Sequence, residues 1–221
     1  MVAVALVVAL GTPLAASADD GRVGLGVEAG TLGIGPALNV HVMDGVDLHV
    51  INGNYTIYRK TSSNSVNFDD TIHLGGTLGY VDFAPLNGPI RIGVGALGNN
   101  GRLSATARPN SNGTYTFNGQ TYPVALVGNV TGTVTFPEIA PYVGLGFAPY
   151  HYSSHTGLSV FGNAGVAFSA PVTTLVASNS AILAADPNFQ KNLNTEKKTI
   201  ERAVGFLRTY PVVGVGVQYR F

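Results

Sequence analysis

The sequence predicts an all-β protein: an eight-stranded antiparallel up-and-down transmembrane β-barrel with long extracellular loops, one of them carrying an amphipathic helix. Three observations lead there. Of the 221 residues, 45% are apolar and only 11% charged, where ordinary domains carry about a quarter charged residues. The body nevertheless lacks the roughly 20 consecutive apolar residues of a membrane helix, so the missing charge calls for a closed barrel. Apolar residues also recur at period two, and short polar turns alternate with long connections, the asymmetry of bacterial barrels.

The first 18 residues stand apart. Val2 to Leu10 is a continuous apolar run, Thr12-Pro13 interrupts it, and Ala16-Ser17-Ala18 gives the small-x-small pattern of signal cleavage before Asp19-Asp20. No Lys or Arg precedes Arg22, so the usual basic n-region is missing, which an incorrectly chosen start site explains. The competing reading is a short buried helix or a membrane anchor. Cleavage near Ala18 leaves 19–221 as the barrel.

Period two begins at once. Val23, Leu25, Val27 and Ala29 alternate with Gly24, Gly26, Glu28 and Gly30, and the same rhythm marks Leu38 to Val42 and Val46 to Val50, so each strand has one apolar and one polar or glycine face. Strands are expected near 22–30, 33–42, 46–58, 71–84, 89–98, 137–149, 157–169 and 210–221. Met43-Asp44-Gly45, Leu86-Asn87-Gly88 and Ser154-His155-Thr156-Gly157 suit tight turns, and Thr31-Leu32-Gly33 joins the first pair. Lys60 to Asp70, Asn99 to Thr135 and Pro171 to Thr209 read as long loops, the first as a solvated one like Asn110 to Gly113. If the central loop contributes a pair, the count becomes ten.

That loop carries Thr114-Tyr115-Thr116-Phe117, Asn118-Gly119 and Gln120-Thr121-Tyr122, a hairpin signal because Asn-Gly accepts a type I′ turn. The last loop has Asp186-Pro187 at a helix start, then Phe189, Leu193, Ile200, Val204 and Leu207 at near-helical spacing. Its other face is charged through Glu196, Lys197, Lys198, Glu201 and Arg202. Such a helix lies over the barrel mouth or, in the sharper alternative, at the interface against lipopolysaccharide.

In a membrane barrel the apolar face looks to lipid and the other face to the lumen. Glu28, His41, Asp47, His49 and Arg220 fall on the polar face, and hairpin register sets Asp82 opposite Arg91, with Val81 and Phe83 facing Ile90 and Ile92 outside. Two readings compete: a gated pathway or ligand site, and a plug of mutually paired charges, which an eight-stranded barrel is narrow enough to hold. The plug is the expectation. Around Asp44, position 41 meets 47 and 39 meets 49, which favours a His41–Asp47 contact over a two-histidine metal site. Two ligands fall short of the usual three or four, so neither metal nor cofactor is expected.

Twelve basic against twelve acidic residues give no electrostatic footprint for nucleic acid. The absence of cysteine excludes disulfides and thiolate chemistry. Tyr210, Tyr219 and Phe221 are expected at the rims of the apolar band.

The glycine-rich strands, Pro141-Tyr142-Val143-Gly144-Leu145-Gly146-Phe147 and the ending Tyr210-Pro211-Val212-Val213 to Gln218-Tyr219-Arg220-Phe221 resemble small Gram-negative outer-membrane barrels of the OmpA-like and OmpW-like kind. That resemblance implies residence in the bacterial outer membrane, as a monomer in contact with the lipid bilayer and lipopolysaccharide. It also implies that the barrel-assembly machinery reads the terminal strand, through Val215, Val217, Tyr219 and Phe221 as the signal. His151-Tyr152-Ser153 resembles the His-x-Ser element of outer-membrane lipid A deacylases, but it abuts a periplasmic turn. Asp69-Asp70 resembles the carboxylates of outer-membrane proteases, but strand neighbours point to opposite faces. The expected function is therefore non-enzymatic: a structural or surface-interaction role, or a narrow passive conduit for small solutes. The alternatives are a barrel enzyme acting on lipid A or peptides and a soluble periplasmic β-barrel binding protein.

Overall fold

The computed structural model describes residues 22–63, 66–85, 88–109, 113–148, 156–178, 183 and 186–221. The proposed signal segment, the Leu86-Asn87 part of one turn, Ser154-His155 of another and His151-Tyr152-Ser153 lie outside the described residues.

Eight strands close a ring: β1 (Val23–Gly30), β2 (Gly33–Met43), β3 (Val46–Ser63), β4 (Val66–Phe83), β5 (Ile90–Asn99), β10 (Ile139–Phe147), β11 (Gly157–Phe168) and β13 (Thr209–Arg220). All pairings are antiparallel, and β13 seals the sheet against β1 from Gly24↔Arg220 to Gly30↔Gly214. Closure matters because an open edge exposes unpaired amides. Phe221, just past the strand, still donates its N–H to the Val23 carbonyl at 2.9 Å.

Among the described residues, five further strands are not inserted between ring strands. Three of them continue ring strands beyond one end of the barrel. β6 (Arg102–Pro109) holds the register of β5 on β4, since Gly76↔Asn99 is followed by His73↔Arg102. β9 (Val130–Thr135) likewise prolongs β10, and β12 (Val172–Ala177) prolongs β11 after a two-residue shift at Ser169 to Pro171. The remaining pair, β7 (Thr114–Phe117) and β8 (Gln120–Pro123), forms the expected hairpin, with Asn118 at φ 50 and Gly119 at φ 78. The central connection thus lengthens the wall rather than widening the ring to ten.

Lys60 to Asp70 is corrected by the same observation. Strand β3 runs to Ser63 and β4 starts at Val66, paired throughout up to Ser63↔Val66. Thr and Val between the charges, β formers that a reading by polarity discounts, carry the pairing upward. Because β1, β2 and β13 stop at the mouth while β3, β4, β6, β9 and β12 rise above it, the barrel has one low and one high wall.

Among the described residues, two helices can be bounded. Val124–Val127 is a single turn, α1, and Pro187–Ala203 is α2, capped where Asn188 N–H donates to Asp186 Oδ1 at 2.9 Å. The expected extent to Leu207 breaks at Val204, where Gly205–Arg208 tightens to a 3-10 turn before β13.

Outward side chains of the ring are apolar and exposed: Leu158 at 77%, Val215 at 60% and Val94 at 56%. Tyr219 and Phe221 belong to this surface, stacked edge to face at 5.1 Å. Tyr210 does not. It is half-buried on the inner face and donates to the Thr31 carbonyl at 2.8 Å, because its even position shares the inward parity of Val212.

Candidate functional site: a closed lumen and the lobe above it

The lumen has two halves. Toward the short turns it is ionic. Arg91 on β5 donates from Nε to Asp82 Oδ1 at 2.6 Å, and its Nη2 reaches Asp47 Oδ2 at 2.8 Å and the Gly45 carbonyl at 3.1 Å. His41 Nδ1 meets Asp47 Oδ1 at 2.7 Å, and His49 Nε2 lies 3.0 Å from Asp82 Oδ2. The chain His41, Asp47, Arg91, Asp82, His49 therefore ties β2, β3, β4 and β5 together across the barrel floor. All but His41 are almost wholly buried, and burial in such numbers is tolerable only because each carboxylate meets a cation.

The expected register needs correction here. Asp82 stands across from Gly93, not Arg91, and Phe83 from Ile92 while Val81 faces Val94. Pro85 and Pro89 bracket the connection and donate no amide to the ladder, so pairing begins two residues later than a tight turn allows. The shift is even, which keeps both side chains on the inner face, and Arg91 reaches Asp82 on the diagonal.

One layer up, Asn39 donates to Gln218, and Asn163 Nδ2 to Glu28 Oε2 at 2.9 Å. The His49 ring stacks on Tyr80 at 4.6 Å, nearly parallel, and Tyr80 touches Tyr142 at 5.5 Å. Arg220 is buried on the same inner face, between Gly24 and Gly157 in register. The glycines of the inner face are sockets for these side chains. A Cβ on Gly214 would come within 2.0 Å of Glu28 Oε1, one on Gly144 within 2.2 Å of the Tyr142 hydroxyl and one on Gly216 within 2.4 Å of the Phe161 ring.

Toward the mouth the filling turns apolar, against the expectation of a polar lumen throughout. Leu32, Ile51, Leu78, Leu97, Ala140 and Val212 are buried and pack with Phe161 and Tyr142. Among the described residues, buried side chains thus fill the bore from floor to mouth, as a ring of eight strands permits.

The lobe above the mouth has its own core. Phe189 of α2, with no exposed surface, inserts edge-on against Tyr122 at 5.1 Å and Phe117 at 6.0 Å. Val127, Val130, Ala177 and Leu183 complete the cluster. Asn192 locks helix to hairpin by donating to Tyr122 Oη at 2.8 Å and Gln120 Oε1 at 3.2 Å while accepting from Asn118 Nδ2 at 3.1 Å. Burial pushes the Tyr115 phenol up, and its hydroxyl donates to the Ala107 carbonyl at 2.9 Å.

Chemically, Asp47, His49 and Asp82 present ligand atoms within 4.8 Å of one another, a spacing that suits a cation. Arg91 already stands on both carboxylates, so the positive charge is supplied by the chain itself. His41 and His49 do not converge; each meets a different aspartate. Asp69 pairs with Arg108 at 3.3 Å, and Asp70 occupies the opposite face, so the two form no dyad. Asn39, Asn163, Gln218, Tyr80, Tyr142 and Phe161 were not singled out from sequence. Inward parity marks all six, and the glycines facing them are the signal that identifies them as knobs.

No family model and no curated protein matches the chain. Among solved structures it is similar to CarO and to CarO2 of Acinetobacter baumannii, each with 23% identity and a TM-score of 0.56 over 90% of this chain and 98% of that one. At this identity the likeness is one of fold: the chain shares with these two proteins their overall backbone architecture.

Proposed function

We propose that the chain is a non-catalytic, monomeric integral barrel of the bacterial outer membrane, with a closed lumen and with the lobe above its mouth as the working surface. The carrying observation is the distribution of side chains around the ring: large apolar groups exposed outside, charges and glycines inside. A soluble barrel buries the first set and exposes the second, so an exposed girdle of this size needs a partner as apolar as lipid. Short turns then face the periplasm and the lobe faces outward. Val215, Val217, Tyr219 and Phe221 form the outward stripe of the sealing strand, a suitable signal for the assembly machinery.

Filling of the bore supports a surface role over a conduit, since Leu78, Leu97 and Ala140 leave no exposed surface inside it. Planar-bilayer recording of the refolded protein tests this. A closed bore gives no discrete steps above the lipid baseline, and regular single-channel steps would overturn it in favour of the narrow conduit. An unchanged lipid A acyl profile in expressing cells is the expected companion result; lost acyl chains would favour the enzyme.

A further inference from the structure

Strands β3, β4, β6 and β9 carry an outward face above the barrel that differs from the girdle below it, while on β12 the outward Val172 and Val176 remain apolar and exposed. Along β5 the outward residues run Ile90, Ile92, Val94, Ala96 and Gly98, and the polar Asn100 follows just past the strand. At about 3.3 Å per residue and a tilt near 40°, Ile90 to Gly98 spans about 20 Å, most of the height of an outer-membrane apolar band. The next outward residue after Asn100 is Arg102.

Cations then recur up the wall. Arg102 and Lys60 are exposed and make no ion pair among the described residues, and Arg108 is 59% exposed beside Asp69. Asp69 is the one acid at these outward strand positions; Asp70 and Arg59 fall on the opposite face, and the exposed Glu138 lies in the kink below. Between the cations the registers align Thr71, Ser104 and Thr133 in a hydroxyl row, with Tyr58 beside them at 78% exposure.

We infer that this wall is a docking surface for lipopolysaccharide of the outer leaflet. Arg102, two outward positions above Gly98, meets the phosphates of the glucosamine headgroup. Lys60 and Arg108 reach phosphates of the inner core, and the hydroxyl row and Tyr58 contact its sugars. Guanidinium groups bind phosphate through paired donors, and lipid next to the barrel holds such phosphates at this height. The high wall is then a lipid-facing device along its whole length, acyl chains below and headgroup above. The inference rests on the outer-membrane reading and assigns the expected lipopolysaccharide contact to named residues of the high wall.

The test uses the full protein purified in detergent, with native mass spectrometry after titration with rough-type lipopolysaccharide, its dephosphorylated form and phosphatidylglycerol. Wild type should retain lipopolysaccharide. Lys60→Gln with Arg102→Gln should weaken retention on the order of tenfold or more, as should dephosphorylation, while Lys198→Gln with Arg202→Gln on α2 should not. Equal binding by the Lys60/Arg102 variant, or equal retention of phosphatidylglycerol, would overturn the inference. Heat-dependent gel mobility of the same samples separates the two layers. A shifting barrel without selective binding sinks the docking surface alone, and a protein with no shift sinks the outer-membrane reading beneath it.

Discussion

Strand β4 passes through two environments and reverses its pattern between them. In the ring its outward residues are Phe83 and Val81 and its inward ones Asp82 and Tyr80; in the lobe the outward residues are Thr71 and Asp69, and the inward face carries Leu74 and Ile72 before Asp70. Glycines at 75, 76 and 79 mark the crossover. Backbone pairing is uninterrupted, so the ladder is indifferent to the change and the surroundings dictate the side chains. The ring is built with its apolar face outside, and the lobe is an ordinary sheet with its core inside, closed by α2 and the β7–β8 hairpin.

The comparison can be broken most forcefully at the barrel floor. Arg91→Met strands Asp47 and Asp82 without their guanidinium and should cost about 3–5 kcal/mol in urea unfolding from liposomes. Adding Asp47→Asn and Asp82→Asn should restore much of it; a neutral single variant would mean the floor is wet. In the lobe, Phe189→Ala should cost at least about 3 kcal/mol, but locally. Limited proteolysis should cut near α2 while the heat-dependent gel shift of the ring survives, and loss of both together would merge the two regions into one cooperative unit. The two outward faces give a finer contrast. Val215→Arg should cost about 2–4 kcal/mol in liposomes, whereas Thr133→Arg, outward on the lobe, should stay within about 0.5 kcal/mol. Similar costs at the two sites would erase the difference between the faces.

Much of the ring was legible because period two is a strong local signal and a one-residue slip would turn Val215 inward and Gly214 to the surface. The His41–Asp47 contact followed from a tight turn at Asp44-Gly45, where chain geometry leaves one register. The Asp82–Arg91 pairing was displaced by two because Pro85 and Pro89 delay the ladder, an effect that parity cannot reveal. Strands β6, β9 and β12 were hidden for a different reason. Their Thr, Ser and Gly side chains look like loop, and their strand character comes from neighbours already aligned in the ring below. The apolar half of the lumen was missed because Ile51, Leu78 and Leu97 sit on the face that also bears Asp47, Asp82 and Arg91, so no single strand announces where polar gives way to apolar. Capping by Asp186 and Pro187 placed α2, while its seat on Tyr122 and Phe117 depends on tertiary packing.

The absence of cysteine makes the central claim directly measurable, since one introduced thiol is then the sole labelling site. Val215→Cys and Thr121→Cys, the latter at an exposed position of the β7–β8 hairpin, are to be expressed separately and intact cells treated with a maleimide coupled to a polymer too large for porins. The expected result is labelling at position 121 and protection at 215 until the protein is unfolded in denaturant. Equal labelling at both positions, or none at 121 in intact cells, would contradict an outer-membrane barrel with its lobe at the cell surface.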